Sequence, residues 1–196
     1  MGDQNRSIQY LLNLTDKTVF TTKDLNKIWQ YENYNSLMHR IQYLNKTNKI
    51  VKLKQGLYTF TGRPVNSLEM ANKLRTPSYI SFETVLQKEG VIFQWDKRIT
   101  LASNQSTKLT VADTSIVFRK LKTNILLNQQ GIIKQNNYFI ACKERAILDT
   151  LYINSSFTFD NLRGVNFDKL KQFLNIYQTA SLILVLNKLE QYAKSY

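Results

Sequence analysis

The stretch that decides the fold lies at residues 34–60 and reads YNSLMHRIQYLNKTNKIVKLKQGLYTF. In its first half, Leu37, Ile41 and Leu44 recur at i, i+4 and i+7, which predicts one buried stripe of an amphipathic helix. The second half alternates between apolar and polar residues, and Gly56 supplies the positive φ that a tight hairpin turn needs. The stretch therefore predicts a helix followed by a two-stranded ribbon.

The residues before this stretch predict two more helices. In the second of them, VFTTKDLNKIW at 19–29, Thr21 or Thr22 can act as the N-cap. The apolar residues assigned to the two buried faces are Ile8, Leu11, Leu12 and Leu14 in the first helix and Leu25, Ile28 and Trp29 in the second. Three short helices and a ribbon are typical of a winged helix-turn-helix domain. The simpler alternative is a small helical cap beside an unrelated hairpin.

The composition favours a negatively charged partner. The 196 residues include 27 Lys and Arg against 14 Asp and Glu, giving a net charge of +13 and a pI near 9.8. Residues 1–66 alone hold 10 basic and 4 acidic side chains. Nucleic acid is the leading candidate, because phosphate contacts release condensed counterions. The alternative is a soluble protein that is basic without such a partner.

A winged helix-turn-helix domain places its third helix in the major groove of DNA. Asn pairs bidentately with adenine and Arg with guanine, so Asn35 and Arg40 are the candidates for base reading. A helix N-terminus suits a phosphate, and lysines that share the exposed face of the ribbon suit the DNA backbone. The predicted DNA-contacting residues are Thr21, Thr22, Lys23, Tyr34, Asn35, Ser36, His39, Arg40, Lys52 and Lys54. Taken singly, each of them is also compatible with an ordinary solvated surface residue.

The ribbon ends at TGRPVN (61–66), where Asn66 and Glu69 are spaced for a capping box. We therefore predict a DNA-binding domain at 1–64 and a second domain at 65–196. Residues 91–141 are mostly strand-like, whereas 143–152 and 167–194 are helical, which predicts an α+β domain with an antiparallel sheet and C-terminal helices. The predicted buried stripes of the last segment are Leu170, Phe173, Leu174 and Tyr177, and Leu182, Val185, Leu186 and Leu189.

No catalytic motif is found, so we expect no catalytic residues, no metal and no cofactor. A Cys–His pair would need Cys142 and His39, which belong to different predicted domains. The acidic residues considered for a magnesium-dependent nuclease match no known spacing; they are Glu83, Asp96, Asp113, Glu144 and Asp149. The apolar run 180–186 is far too short to span a bilayer, which takes about 20 helical residues. With a polar N-terminus and a single cysteine, these features predict a cytoplasmic protein.

Several segments resemble the AbiEi family, the antitoxins of type IV toxin–antitoxin systems. The most specific are PSYISFETVL (77–86) and ERAILDTLY (144–152), and the similarity runs from about residue 8 to the C-terminus. The wing segment IVKLKQGLYTF (50–60) is shared by many winged-helix regulators. The chain departs from the family pattern at Lys143, where proline is usual, and at Lys52, Lys54 and Gln55, where arginines are usual.

The resemblance implies a DNA-binding antitoxin that represses its own operon by binding inverted repeats in the promoter. It also implies that the chain opposes a nucleotidyltransferase-like toxin, without necessarily forming a stable complex, in abortive infection by phage. We expect a monomer or weak dimer. The alternative is a winged-helix regulator of other genes, whose second domain senses a ligand or dimerises. A DNA-processing enzyme is the least favoured interpretation.

Overall fold

The structure is a computed structural model that describes residues 15–194. The chain divides into two compact units, the first ending at Leu74 and the second beginning at Arg75. Both units contain helices and strands, which confirms the predicted α+β class. The first predicted helix, with Ile8, Leu11, Leu12 and Leu14, lies outside the described residues. No helix between residues 15 and 194 is long and apolar enough to cross a membrane.

The first unit combines short helices with a three-stranded antiparallel sheet in the order β1-β3-β2. The central strand of this sheet is buried along its whole length. The elements are β1 (Phe20–Thr21), α1 (Thr22–Trp29), α2 (Tyr34–Lys46), β2 (Ile50–Lys54), β3 (Leu57–Phe60) and α3 (Ser67–Lys73).

The core of the first unit forms where the apolar face of α2 meets the sheet. Leu37, Ile41 and Leu44 are each no more than 2% exposed, as the sequence predicted. Phe20 and Phe60 pack edge to face, with ring centroids 4.9 Å apart. Burying each such side chain contributes roughly 1.5–3 kcal/mol. The other members of the core are Leu25, Ile50 and Tyr58, with Ile28, Trp29, Tyr31 and Met38 packed against them.

Helix α3 belongs to the first unit, so the boundary falls later than the predicted one near residue 64. The Glu69 carboxylate accepts hydrogen bonds from the Thr18 N–H and hydroxyl, at 2.9 and 2.8 Å. Asn66 caps α3 by accepting from the N–H groups of Leu68 and Glu69, as the capping-box prediction requires. However, Glu69 binds Thr18, which links α3 to residues far away in sequence.

The second unit contains a six-stranded sheet and five helices within its described residues. The strand order is β6-β7-β5-β4-β9-β8. The strands are β4 (Ser78–Ile80), β5 (Ile99–Ser103), β6 (Thr107–Val111), β7 (Thr114–Lys120), β8 (Ile132–Gln135) and β9 (Tyr138–Ala141). The helices are α4 (Glu83–Lys88), α5 (Thr123–Leu127), α6 (Lys143–Ile153), α7 (Phe167–Tyr177) and α8 (Ala180–Lys194).

This sheet is mixed, whereas the sequence predicted an antiparallel one. The hairpins β6–β7 and β8–β9 are antiparallel, but β7 pairs in parallel with β5, and β9 in parallel with β4. Alternating residues and turns identify the hairpins. These local patterns carry no information about which edge of the sheet each hairpin joins. In the structure, each hairpin joins so that one of its strands runs parallel to the neighbouring strand.

The C-terminal helices pack as the apolar stripes predicted. Leu170, Phe173 and Tyr177 of α7 are buried, and so are Leu182 and Leu186 of α8. Leu174, Val185 and Leu189, predicted in the same stripes, are half-buried at their edges. Helix α6 is buried from Glu144 to Leu151 and forms the centre of the helical layer.

A buried ion pair lies within this helical layer. Arg145 and Asp149, one turn apart on α6, are both fully buried, with Nε and Oδ1 3.3 Å apart. The Asp149 carboxylate also accepts hydrogen bonds from hydroxyls of β4, of the residue after it and of α7. These donors are Tyr79 (3.0 Å), Ser81 (2.7 Å) and Tyr177 (2.6 Å). Burial and the Asp149 carboxylate raise the pKa values of Tyr79 and Tyr177 well above the ordinary value for tyrosine. Both hydroxyls therefore remain hydrogen-bond donors at neutral pH.

The Arg145 guanidinium donates hydrogen bonds to α5, to the loop that follows it and to β4. Its acceptors are the carbonyl oxygens of Ile125 in α5 (2.7 Å) and Gln130 in the loop (2.9 Å), and the Tyr79 hydroxyl of β4 (2.9 Å). Gly131 lets this loop pack closely against α6 and α7. A Cβ at this position would lie 2.8 Å from Phe173 and 2.9 Å from the Cβ of Arg145. Its φ of +75° also favours glycine. One side chain therefore fixes α6, the loop and β4 together.

We predict that Asp149→Ala lowers the free energy of unfolding by about 3–5 kcal/mol, because it leaves the buried Arg145 charge unpaired. Tyr177→Phe, a milder variant, should cost about 1–2 kcal/mol through the loss of one hydrogen bond. Urea unfolding followed by circular dichroism measures both.

Asp96→Ala is the matched control, because Asp96 forms an exposed pair with Arg98 in the same unit. Exposed pairs contribute about 0–1 kcal/mol. Equal destabilisation by the Asp96 and Asp149 variants would contradict a structural role for the buried pair.

Candidate nucleic-acid interface

Helix α2 is oriented by its cap and by its buried face. The Asn33 side chain accepts a hydrogen bond from the Asn35 N–H at 2.8 Å, which sets the helix start at Tyr34. Asn33 is therefore the N-cap of α2. Because Leu37, Ile41 and Leu44 face the core, the opposite side of α2 faces solvent.

The solvent side of α2 carries a single polar stripe. Asn35, His39, Gln42 and Lys46 are all exposed. They lie within roughly 60° around the helix axis, since each residue turns the helix by about 100°. From Asn35 to Lys46 the stripe is about 16 Å long, at 1.5 Å per residue. Gln42 and Lys46 were missing from the predicted set, although their positions opposite the apolar stripe could have identified them.

The other predicted residues of α2 lie beside this stripe. Tyr34 is 66% exposed at the first helical position, and Ser36 is exposed on the flank. Arg40 is half-buried, and its guanidinium lies 5.9 Å from the centre of the Tyr43 ring. Arg40 therefore lies beside the stripe, towards the buried face of the helix, and not on the stripe.

The ribbon departs from the predicted alternation. Lys52 is opposite Tyr58 and Lys54 is opposite Leu57, so a β-bulge shifts the register between the two lysines. Paired residues share a face of the sheet and successive residues alternate, so Lys52 and Lys54 point to opposite faces. Both remain exposed. The prediction that they share one face was wrong, because a bulge changes the side-chain period locally. Lys52 lies on the face that carries Tyr58 and Phe60.

The N-terminus of α1 already holds a carboxylate of the protein. Thr21 and Asp24 form a capping box, in which each side chain bonds the other residue's N–H, at 3.0 and 2.9 Å. The Thr22 N–H donates to the Gly56 carbonyl at 3.1 Å. The N–H groups of Thr21 and Thr22, predicted to bind phosphate, therefore have partners within the chain. Lys23 is exposed at this end of the helix.

The charge of Asp24 is stabilised where it lies. Burial opposes ionisation, but hydrogen bonds from Thr21 and Lys17 lower the pKa of Asp24 to about 2. The Lys73 ammonium adds a further attraction at 3.6 Å. A fixed negative charge at this helix end disfavours a second anion.

The α2 helix and the ribbon form a segment with positive charge only. Between Glu32 and Glu69 the sequence contains no acidic residue. The six cations of this segment are Arg40, Lys46, Lys49, Lys52, Lys54 and Arg63. The acidic residues described in the first unit are Asp16, Asp24, Glu32 and Glu69, all outside this segment. The net charge of the first unit is thus concentrated on α2 and the ribbon.

Most of the acidic residues considered for a nuclease have cationic partners. Glu83 pairs with Arg119 at 2.6 Å, and Asp96 and Asp149 pair with arginines as described above. Glu144 pairs with Lys169 at 3.1 Å, while Asp113 is exposed. Among residues 15–194, no three His, Cys, Asp or Glu side chains are grouped so that they could hold a metal ion.

Comparison with known proteins adds no family assignment. A scan against protein-family models finds no match, and a search of curated proteins finds no significant match. The resemblance to the AbiEi family therefore stays a prediction, carried by the quoted motifs alone.

We predict that Asp24→Asn lowers the stability of the first unit by about 1–2 kcal/mol at neutral pH. The lowered pKa of Asp24 contributes stability that is fully present above its unfolded pKa of 3.8. That contribution is lost as the pH falls through the folded pKa of about 2.

Urea titrations at pH 7 and pH 2.5 check this, and the difference between wild type and variant should shrink at the lower pH. A difference that is equal at both pH values would contradict the assigned pKa. Asp16→Asn is the control, because Asp16 is exposed.

Proposed function

We propose that the first unit is a winged helix-turn-helix domain that binds double-stranded DNA. The observation that carries the proposal is the polar stripe of α2, which lies opposite a fully buried apolar stripe in a segment without acidic residues. In this proposal α2 is the recognition helix, and β2 and β3 form the wing. The predicted helix with Ile8, Leu11 and Leu12 would complete the domain.

We assign base reading to the amide side chains of the stripe. Asn35 and Gln42 each present the donor and acceptor that pair bidentately with adenine in the major groove. His39 lies between them, and Lys46 ends the stripe with a cation. Arg40 and Lys52, at the edges, would contact phosphates and hold the helix in register. The DNA sites should therefore contain A·T pairs at the positions that face α2.

We propose further that the whole chain is an antitoxin and autorepressor of a type IV toxin–antitoxin operon, without enzymatic activity. This part rests on the AbiEi resemblance. Tyr79 and Ser81 come from one of the two quoted motifs, and Arg145 and Asp149 come from the other. All four belong to the same buried hydrogen-bond network, so one structural feature accounts for residues of both motifs. In this proposal the chain binds promoter inverted repeats in the cytoplasm, as a monomer or weak dimer, and opposes a nucleotidyltransferase-like toxin.

The alternative function is regulation of other genes through a ligand-sensing second unit. It is favoured by a cleft of about 480 Å³ between the segment after α6 and helix α8. Its apolar lining includes Leu151, Phe157, Phe159 and Leu189. Binding of the full chain to its own upstream DNA, compared with binding to random genomic fragments, separates autorepression from regulation elsewhere. Rescue of growth when the chain is co-expressed with the neighbouring gene product tests the antitoxin role.

We predict that Asn35→Ala and Gln42→Ala each weaken binding to the preferred duplex by about 1–3 kcal/mol and relax its sequence preference. Selection from a random duplex library, followed by gel-shift titration, measures both effects. Asn45→Ala is the matched control, because Asn45 is exposed on the same helix but outside the stripe. The assignment fails if the Asn45 variant loses as much selectivity as the other two.

We predict a different outcome for the cations. Lys46→Ala and Lys52→Ala should weaken binding to all duplex sequences alike and reduce the salt dependence by about one unit each. Lys27→Ala, which removes an exposed charge of α1, is the control and should have a smaller effect. An unchanged salt slope for both variants would contradict phosphate contact by α2 and the wing.

A further inference from the structure

The loop between α4 and β5 exposes two aromatic side chains. Trp95 is 83% exposed and Phe93 is 70% exposed, the two largest exposed fractions among the large hydrophobic side chains described. The neighbouring Val91 and Ile92 are buried. The proposed DNA interface lies in the first unit and gives these two aromatic residues no role.

Hydrogen bonds hold this loop against the segment that precedes α7. The Phe93 N–H donates to the Asp160 carboxylate at 2.7 Å, and the N–H groups of Asp160 and Asn161 donate to the Val91 carbonyl at 3.0 and 3.1 Å. The Asn161 side-chain amide donates to the Gly90 carbonyl at 3.1 Å. The Gln87 side chain also donates to the Gln94 carbonyl, so hydrogen bonds hold the backbone on which Phe93 and Trp95 lie.

The surroundings of the loop combine cations with a cleft. Lys97 and Arg163 are exposed, while Asp96 is neutralised by Arg98, whose Nε lies 2.7 Å from it. Phe93 and Arg163 line one cleft of about 390 Å³, which is in the size range of small-ligand sites. From residue 75 onward the sequence has 16 basic and 9 acidic side chains, so the second unit is cationic as a whole.

We propose that this loop and cleft bind single-stranded nucleic acid. Unpaired bases would stack on Trp95 and Phe93, and Lys97 and Arg163 would bind the phosphates. Aromatic rings interleaved with cations are the usual composition of such surfaces, because every base offers a ring face. In a protein-docking patch, apolar neighbours exclude water around the anchors. Here Gln94, Asp96 and Lys97 are polar, and the cleft beside Phe93 is lined by Asp160, Asn161 and Arg163 as well as by Phe159, Leu162 and Tyr192. The surface therefore fits a stacking, charged ligand better than an apolar one.

The chain offers a local reporter of this binding. It contains two tryptophans, and Trp29→Phe leaves Trp95 as the only one. We expect a 12-nucleotide oligouridylate, added to the full-length Trp29→Phe chain at low salt, to quench Trp95 fluorescence. Half-saturation should shift to higher concentration as salt rises, because phosphate contacts release ions.

In this background Phe93→Ala should weaken binding about 5- to 150-fold, the equivalent of about 1–3 kcal/mol for one stacked base. Arg163→Gln should weaken binding less and reduce the salt dependence. Phe139→Ala is the matched control, because it removes another exposed phenylalanine of the same unit. Circular dichroism of each variant separates loss of binding from loss of folding.

Three results with these ligands and variants would overturn the proposal, and a competition experiment adds a fourth. They are no quenching by the oligouridylate at low salt, equal quenching by polyglutamate of the same charge, and equal weakening by the Phe93 and Phe139 variants. Duplex DNA of the same length serves as the competitor. If it displaces the oligouridylate from Trp95 at equal concentration, the surface does not select single strands, and the proposal fails. Trp95 belongs to the second unit, so its signal tests this surface and not the duplex binding proposed for the first unit.

Discussion

The second unit depends on one buried guanidinium–carboxylate pair. Removing Arg145 and Asp149 from water costs several kcal/mol per charge, and this cost is tolerable only when every lone pair and proton finds a partner. The partners come from β4, from the residue after it, from α5 and the loop that follows it, and from α7. These segments must therefore come together for the pair to be buried at all. The pair makes the arrangement specific, whereas the surrounding apolar side chains supply most of the stabilisation.

The first unit follows a simpler constraint, which acts through helical geometry. Because Leu37, Ile41 and Leu44 occupy the core, the opposite face of α2 must point away from the core. Asn35, His39, Gln42 and Lys46 then form one stripe, because residues at these spacings lie above one another on a helix. The proposed interface is in this sense a consequence of the core. Packing and the proposed recognition of DNA use the two faces of the same thirteen-residue helix.

The sequence was least informative about which groups each polar side chain meets. Glu69 was assigned to its own helix cap, but it bonds Thr18, far away in the chain, and thereby extends the first unit to Leu74. Asp24 was not considered, although its carboxylate occupies the helix end expected to bind phosphate. Lys52 and Lys54 were expected on one face, and a single bulge separated them. None of these differences changes the position of a helix or strand by much, yet each changes which groups can meet a ligand.

Local periodicity by itself determined most of the helices and strands, the buried stripe of α2, the packing stripes of α7 and α8 and the α+β class. It did so because burial of a helix face or strand face imposes a fixed spacing on the chain. It missed the short helix α5 inside the strand-like segment. Only the tertiary structure decided the parallel pairing of β5 with β7, the fully satisfied burial of Arg145 and Asp149, and the fixed exposure of Phe93 and Trp95. These depend on contacts between residues that are distant in the chain, and no local pattern encodes such contacts.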